Sequence, residues 1–155
     1  MSDVDMVKVE LQGPDGEVET LWATPLGDDR YRLENSPFWA YGVSYKDVIE
    51  ARPLDDGGFP VFVRRLERSG NRTLRLILKP SARESAESQG LLDRLVALGC
   101  SYEGMNPAYL AINVPGTVDL ETITTFLTQI DRQWEYVDPT YAEVHGEGTG
   151  ESPVT

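Results

Sequence analysis

Catalysis by a Ser–His–Asp triad, a Cys–His pair or a multi-histidine metal site needs histidines inside a fold, and this chain has one, His145. It stands beside a C-terminal run of Gly, Glu, Ser, Thr and Pro with little to bury, so these classes find no footing in the core. Cys100, the sole cysteine, opens a short apolar run and reads as a small buried hydrophobe rather than a nucleophile. Carboxylates remain. Asp28, Asp29, Glu34, Asp47 and Glu50 are close in sequence, and two of them facing each other across a cleft could carry acid–base chemistry. The alternative is ordinary: turn chemistry for Asp28 and Asp29, and a solvated strand face for the others. Gly57–Gly58 and Ser69–Gly70–Asn71 fit plain turns, and no Gly-rich phosphate loop, metal-ligand spacing or cofactor motif accompanies them.

The net charge of −12 argues against binding to a nucleic-acid backbone, which is driven by Lys and Arg displacing counterions. The cations are nonetheless concentrated. Arg64, Arg65, Arg68, Arg72, Arg75, Lys79 and Arg83 share the stretch 60–83 with one anion, Glu67. Arg64, Arg68, Arg75 and Lys79 could bind an anionic ligand, or they could neutralise the acidic remainder of the same molecule. Aromatics are crowded too: Trp22, Tyr31, Phe38, Trp39, Tyr41 and Tyr45 all lie between Leu21 and Lys46. A core accommodates Trp22 and Tyr31. Phe38, Trp39, Tyr41 and Tyr45 sit in a short irregular segment after Pro37, where they cannot all point inward. One or two exposed rings would mark a contact surface, and a loop folded over its own core is the competing reading.

The elements that must position these residues follow from periodicity. Leu74, Leu76 and Leu78 alternate with Thr73, Arg75 and Lys79, which predicts a strand with one apolar and one cationic face. Pro80 stops it. Ser81 and Glu84 have capping-box spacing, so a helix is expected from there through Ala82, Ala86, Leu91, Leu92, Leu95 and Leu98, ending at Gly99. Cys100–Gly104 and Tyr109–Val114 read as a hairpin. Asp119 caps a second helix whose stripe is Leu120, Ile123, Leu127 and Ile130, and Trp134–Val137 closes the unit as a strand. This βαββαβ order predicts a ferredoxin-like sheet with both helices on one face. Upstream, Val7–Leu11, Glu17–Ala23, Arg30–Glu34, Val48–Ala51 and Phe59–Glu67 are short strands separated by turns, as in a small antiparallel β-barrel-like sheet.

The fold class is therefore α+β: a barrel-like lobe over residues 1–68, a ferredoxin-like lobe over 69–139, and an acidic tail over 140–155 expected to be disordered. A chain of this length buries about two-thirds of its unfolded surface and needs no disulfide staple. Met1–Met6 carries two aspartates where a signal peptide would carry cations, and no run approaches the roughly 18 apolar residues of a membrane span. Cytoplasm is the expectation, with no membrane partner.

The stretch LWATPLGDDRYRLENSPFWAYGVSYKDVIEA at Leu21–Ala51 resembles a family of uncharacterised small bacterial proteins, a domain of unknown function. RSGNRTLRL at Arg68–Leu76 and ALGCSYEG at Ala97–Gly104 extend the resemblance over most of the chain. It implies a coherent bacterial domain and brings no activity or ligand. Two functions are expected to compete. One is a non-enzymatic module whose acidic surface and aromatic loop dock on a basic protein, in the manner of a toxin-neutralising immunity protein or an accessory factor. The other is a small-molecule sensor or enzyme with its ligand between the lobes, near Trp39 and Arg75.

Overall fold

The computed structural model describes residues 5–146. Five strands come first: β1 (Val7–Gln12), β2 (Val18–Gly27), β3 (Arg30–Leu33), β4 (Val48–Arg52) and β5 (Val61–Glu67). They close into a barrel in chain order. Neighbours are antiparallel except at the seam, where β1 meets β5 in parallel at Glu10 and Val61; the expectation of a wholly antiparallel sheet is corrected there. A chain that runs through an odd number of alternating strands must bring its first and last strands together in the same direction. Asp28 and Asp29, with φ of 56° and 61°, are the two central residues of the β2–β3 hairpin, the conformation in which Asp is tolerated. They are turn residues. The barrel core is Val9, Leu11, Leu21, Ala23, Leu33, Ile49 and Ala51, the inward members of each alternating strand.

The second sheet holds β6 (Arg72–Ile77), β7 (Ser101–Asn106), β8 (Tyr109–Val114) and β9 (Gln133–Asp138) in the order β7-β8-β6-β9, all neighbours antiparallel. Leu74, Leu76, Leu110, Ile112, Val114, Trp134 and Tyr136 form one face of it. Two helices bury their stripes on that face, α1 (Ala86–Ala97) through Leu92 and Leu95, and α2 (Leu120–Gln129) through Ile123 and Leu127.

The start of α1 differs from the sequence expectation. Glu84 does reach back to the Ser81 N–H at 3.0 Å, but the pair closes a turn, and the helix begins after Ser85, whose hydroxyl accepts from the Ser88 N–H. A capping box specifies local hydrogen bonds, and a second serine four residues on offers the same cap nearer the apolar stripe. Gly99, at φ 105°, ends α1 as expected. Asp119 stands at the N-cap of α2, with its carboxylate accepting from the Thr122 hydroxyl instead of a backbone N–H.

The expected disorder from residue 140 is also corrected in part. Tyr141–His145 form a one-turn helix, α3, capped reciprocally by Thr140 and Glu143, and Tyr141 packs against the Tyr136 ring at 6.3 Å. The remainder of that tail, 147–155, lies outside the described residues.

Leu95 and Leu127 are fully buried on the same sheet face from different helices. Leu95→Ala and Leu127→Ala should each lower unfolding free energy by about 2–5 kcal/mol in urea titration. Values near zero for either would mean its helix does not cover the sheet.

Candidate functional site

The other face of the second sheet presents Thr73, Arg75, Asn113, Glu135 and Val137, of which all but the half-buried Glu135 are buried. The loop from Glu34 to Asp47 lies over it, joining β3 to β4, and two opposite charges hold its backbone. Glu19 of β2 turns its carboxylate toward the loop, where Oε1 accepts from the Phe38 N–H and Oε2 from the N–H groups of Trp39 and Ala40, each at 2.8 Å. From the sheet below, Arg75 donates through Nη1 to the carbonyls of Ala40 at 3.0 Å and Pro37 at 3.3 Å. Its Nε donates to Glu135 Oε2 at 3.0 Å, and its Cζ lies 4.4 Å from the centre of the Tyr41 ring. The Tyr41 hydroxyl donates to the other Glu135 oxygen at 2.6 Å. Donors face a carboxylate and acceptors face a guanidinium, so an irregular segment with no ladder of its own is satisfied.

This places the sequence candidates. Phe38, Trp39, Tyr41 and Tyr45 are all half-buried, so none of the four is a freely exposed ring. Phe38 and Trp39 pack on Tyr109 of β8, with ring centroids 6.1 and 5.5 Å apart, and the Tyr109 hydroxyl donates to the Phe38 carbonyl. Gly13 of the β1–β2 turn presses on the far side of Trp39: a Cβ there would stand 3.0 Å from that of Trp39. Tyr45 lies beneath the Lys46 ammonium, apart from the others. Trp22, assigned above to the core, is instead exposed at 44 %, because its position alternates with the inward Leu21 and Ala23.

The cations divide in the same way. Arg64 donates to Glu50, and Arg68 stands 3.9 Å from both Asp138 and Glu143. Arg75 is 2 % exposed. Arg65 bridges Asp47 and Asp138 at 2.9 and 2.7 Å, and Asp138 also accepts from Ser44, whose hydroxyl lies 2.7 Å from Thr73. The cluster joins barrel, loop and sheet. The candidate carboxylates are likewise in structural use. Asp47 accepts from the backbone of Ser44 and Ser69, and Glu50 holds Arg52 and Arg64. Glu34 serves Thr24, Arg32 and Lys46; burial pushes its carboxyl up, and these three donors outweigh that and hold it below the usual range. Burial raises the Cys100 thiol to about 11, so little thiolate is present at neutral pH.

Where the loop stops short of the sheet edge, a cleft of about 460 Å³ remains between Trp39 and the strands. Trp39, Tyr109, Ile77 and Met105 supply apolar wall, Gln133 an amide, and Glu135 and Arg75 an ion pair. This size and lining are those of a site for one small group. Phe38, Tyr45, Arg64 and Arg68 take no part in it. The residues that sequence reading missed are Glu19, Tyr109, Glu135 and Glu103 of β7, whose carboxylate accepts from the Ser36 N–H at the start of the loop. Glu19 gave a signal: it shares strand parity with Leu21 and Ala23, which places a carboxylate on the inward side.

Replacing Glu19 by Ala orphans three N–H groups and should destabilise the protein by at least about 3 kcal/mol, at roughly 1–3 kcal/mol per buried unpaired donor. A loss of unfolding free energy below about 1 kcal/mol in urea titration would remove Glu19 from its role. Burial first, and then the Glu135 carboxylate, push the Tyr41 hydroxyl up to about 12 from 10. The unfolded chain therefore loses this proton first as pH rises, so Tyr41 contributes stability that is intact below pH 10 and lost on approach to 12. Tyrosinate absorbance of the folded protein should lose its latest-titrating component in Tyr41→Phe; an unchanged titration would contradict the placement.

Comparison with known proteins yields a fold and a family. A crystal structure described as a hypothetical protein from Neisseria gonorrhoeae superposes with a TM-score of 0.63 at 15 % identity, covering 83 % of this chain and 87 % of the other. At that identity the likeness is one of fold. No curated protein matches. Residues 19–136, from the Glu19 that holds the loop to the Tyr136 of β9, match the family described as a domain of unknown function, DUF4265, and the chain belongs to that family.

Proposed function

We propose that the protein is a non-enzymatic bacterial binding module that works in the cytoplasm and docks on a basic protein, as an immunity or accessory factor would. The observation that carries this is where the charges go. Arg32, Lys46, Arg52, Arg64, Arg65, Arg68, Arg75 and Arg132 are all engaged in ion pairs within the molecule. Asp15, Asp28, Asp55, Asp56, Glu67, Glu121 and Asp131 stand exposed on turns and element ends. Eight of the fourteen cations are thus taken up in ion pairs, while Lys79, Arg83 and Arg94 remain exposed, and with a net charge of −12 the acidic excess facing solvent steers a basic partner inward and repels nucleic acid. The four-stranded half is on this reading a ferredoxin-like βαββαβ unit, supported by the order β7-β8-β6-β9 and by both long helices sharing one core with one sheet face. It serves as a rigid base for the loop.

The test is the salt dependence of capture. Purified protein should retain a basic partner from its host at low ionic strength and lose it as salt rises through the physiological range. Asp15→Lys with Asp55→Lys should slow association at least threefold with little change in dissociation. Salt-insensitive capture, or an association rate unmoved by the reversals, would contradict the proposal.

A further inference from the structure

The cleft beneath Trp39 has an electrostatic character that its lining alone does not convey. Its two charged residues are bonded to each other, yet they are unequally presented: the Glu135 side chain is 19 % exposed and that of Arg75 only 2 %. Arg75 is also wrapped by the carbonyls of Pro37 and Ala40 and covered by the Tyr41 ring. An entering group therefore meets a carboxylate edge before a guanidinium. Around it stand the rings of Trp39 and Tyr109, 5.5 Å apart and tilted by 36°, with Met105 and Ile77 beside them. Ring faces carry negative potential, and the whole molecule carries −12. The rings are held in place by the protein itself: the Trp39 backbone N–H donates to Glu19, its ring packs on that of Tyr109, and the Tyr109 hydroxyl donates to the Phe38 carbonyl, so ordering them costs a ligand little.

We propose that this cleft is an aromatic seat for an alkylammonium group, the head of a lysine side chain on the basic partner. The inference rests on the reading above and names the contact through which it acts. The lysine stem would lie on Ile77 and Met105 and its ammonium against the rings and Glu135. An anionic group is disfavoured by the carboxylate and by the field, and a neutral apolar group would forgo the attraction to both.

The test uses short alanine-based peptides holding one lysine, one trimethyl-lysine or one norleucine, the last matching the stem without its charge. Binding is followed by the backbone amide resonances of Ile77 and Tyr109, which line the cleft and are unchanged in every variant used. Both cationic peptides should bind at least threefold more tightly than the norleucine peptide, the range expected of a ring–cation contact at a partly exposed site. Trp39→Leu keeps an apolar wall and removes the ring. It should abolish the preference for charge, so that the cationic peptides bind no more tightly than the norleucine peptide does to the same variant. Glu135→Gln should weaken the cationic peptides alone, and a urea midpoint for each variant separates loss of the seat from loss of the fold. Equal binding of charged and neutral peptides, no binding of either, or a preference surviving in Trp39→Leu would overturn the seat. Salt-sensitive capture of the whole basic partner in that case would leave the docking proposal standing, whereas loss of capture as well would remove both.

Discussion

An irregular segment laid across a sheet must find partners for every buried N–H and C=O, and here two side chains of opposite sign supply them. Glu19 takes the N–H groups of three consecutive loop residues, and Arg75 takes carbonyls of the same turn from below. Each charge is desolvated, which is unfavourable by several kcal/mol for an isolated ion. Each is offset by charge-assisted hydrogen bonds to backbone, and for Arg75 by Glu135 as well. Neither residue touches the other. The loop is the mediator, so barrel and sheet are coupled through the backbone of Pro37–Ala40.

The rest of the lobe contact repeats this logic. Glu103 of β7 accepts from the Ser36 N–H at 2.6 Å and from the Asn35 amide, Val137 of β9 accepts from Gly42, and Asp138 gathers Ser44 and Arg65. Two apolar cores, one inside the barrel and one between helices and sheet, are thus joined by a polar layer instead of by a third apolar one. Polar layers fix orientation through hydrogen-bond geometry where apolar contact would allow sliding. That fixed orientation keeps Trp39 packed on Tyr109 at the wall of the cleft.

Strand and helix existence was legible in the sequence because it follows from period. The Leu74/Leu76/Leu78 alternation, the Ile123–Leu127 stripe and the Gly99 stop all depend on neighbours in the chain. The concentration of arginines between Arg64 and Arg75 also pointed, as one of two readings, to the internal neutralisation that the ion pairs display. What periodicity could not convey was pairing at a distance. Glu19 and Ala40 are 21 positions apart and Tyr41 and Glu135 94 apart, so the loop's restraint was invisible, and its aromatics read as partly free. Trp22 failed in the opposite sense: an aromatic beside Leu21 looked like core, although strand parity turns it outward. The helical start at Ser85 was hidden by Ser81, an earlier serine with an equally good local signature.

The central claim is that loop 34–47 is held as firmly as the sheets it joins, through Glu19 and Arg75. Native-state hydrogen exchange of the Phe38, Trp39 and Ala40 amides measures this directly. If the claim holds, these three Glu19-bound amides exchange only through large-scale unfolding, with opening free energies close to those of Leu74 and Ile112, and Arg75→Met lowers all three together. Exchange at rates near those of an unprotected peptide, with the sheet amides remaining slow, would show a loop that opens by itself and would contradict the account.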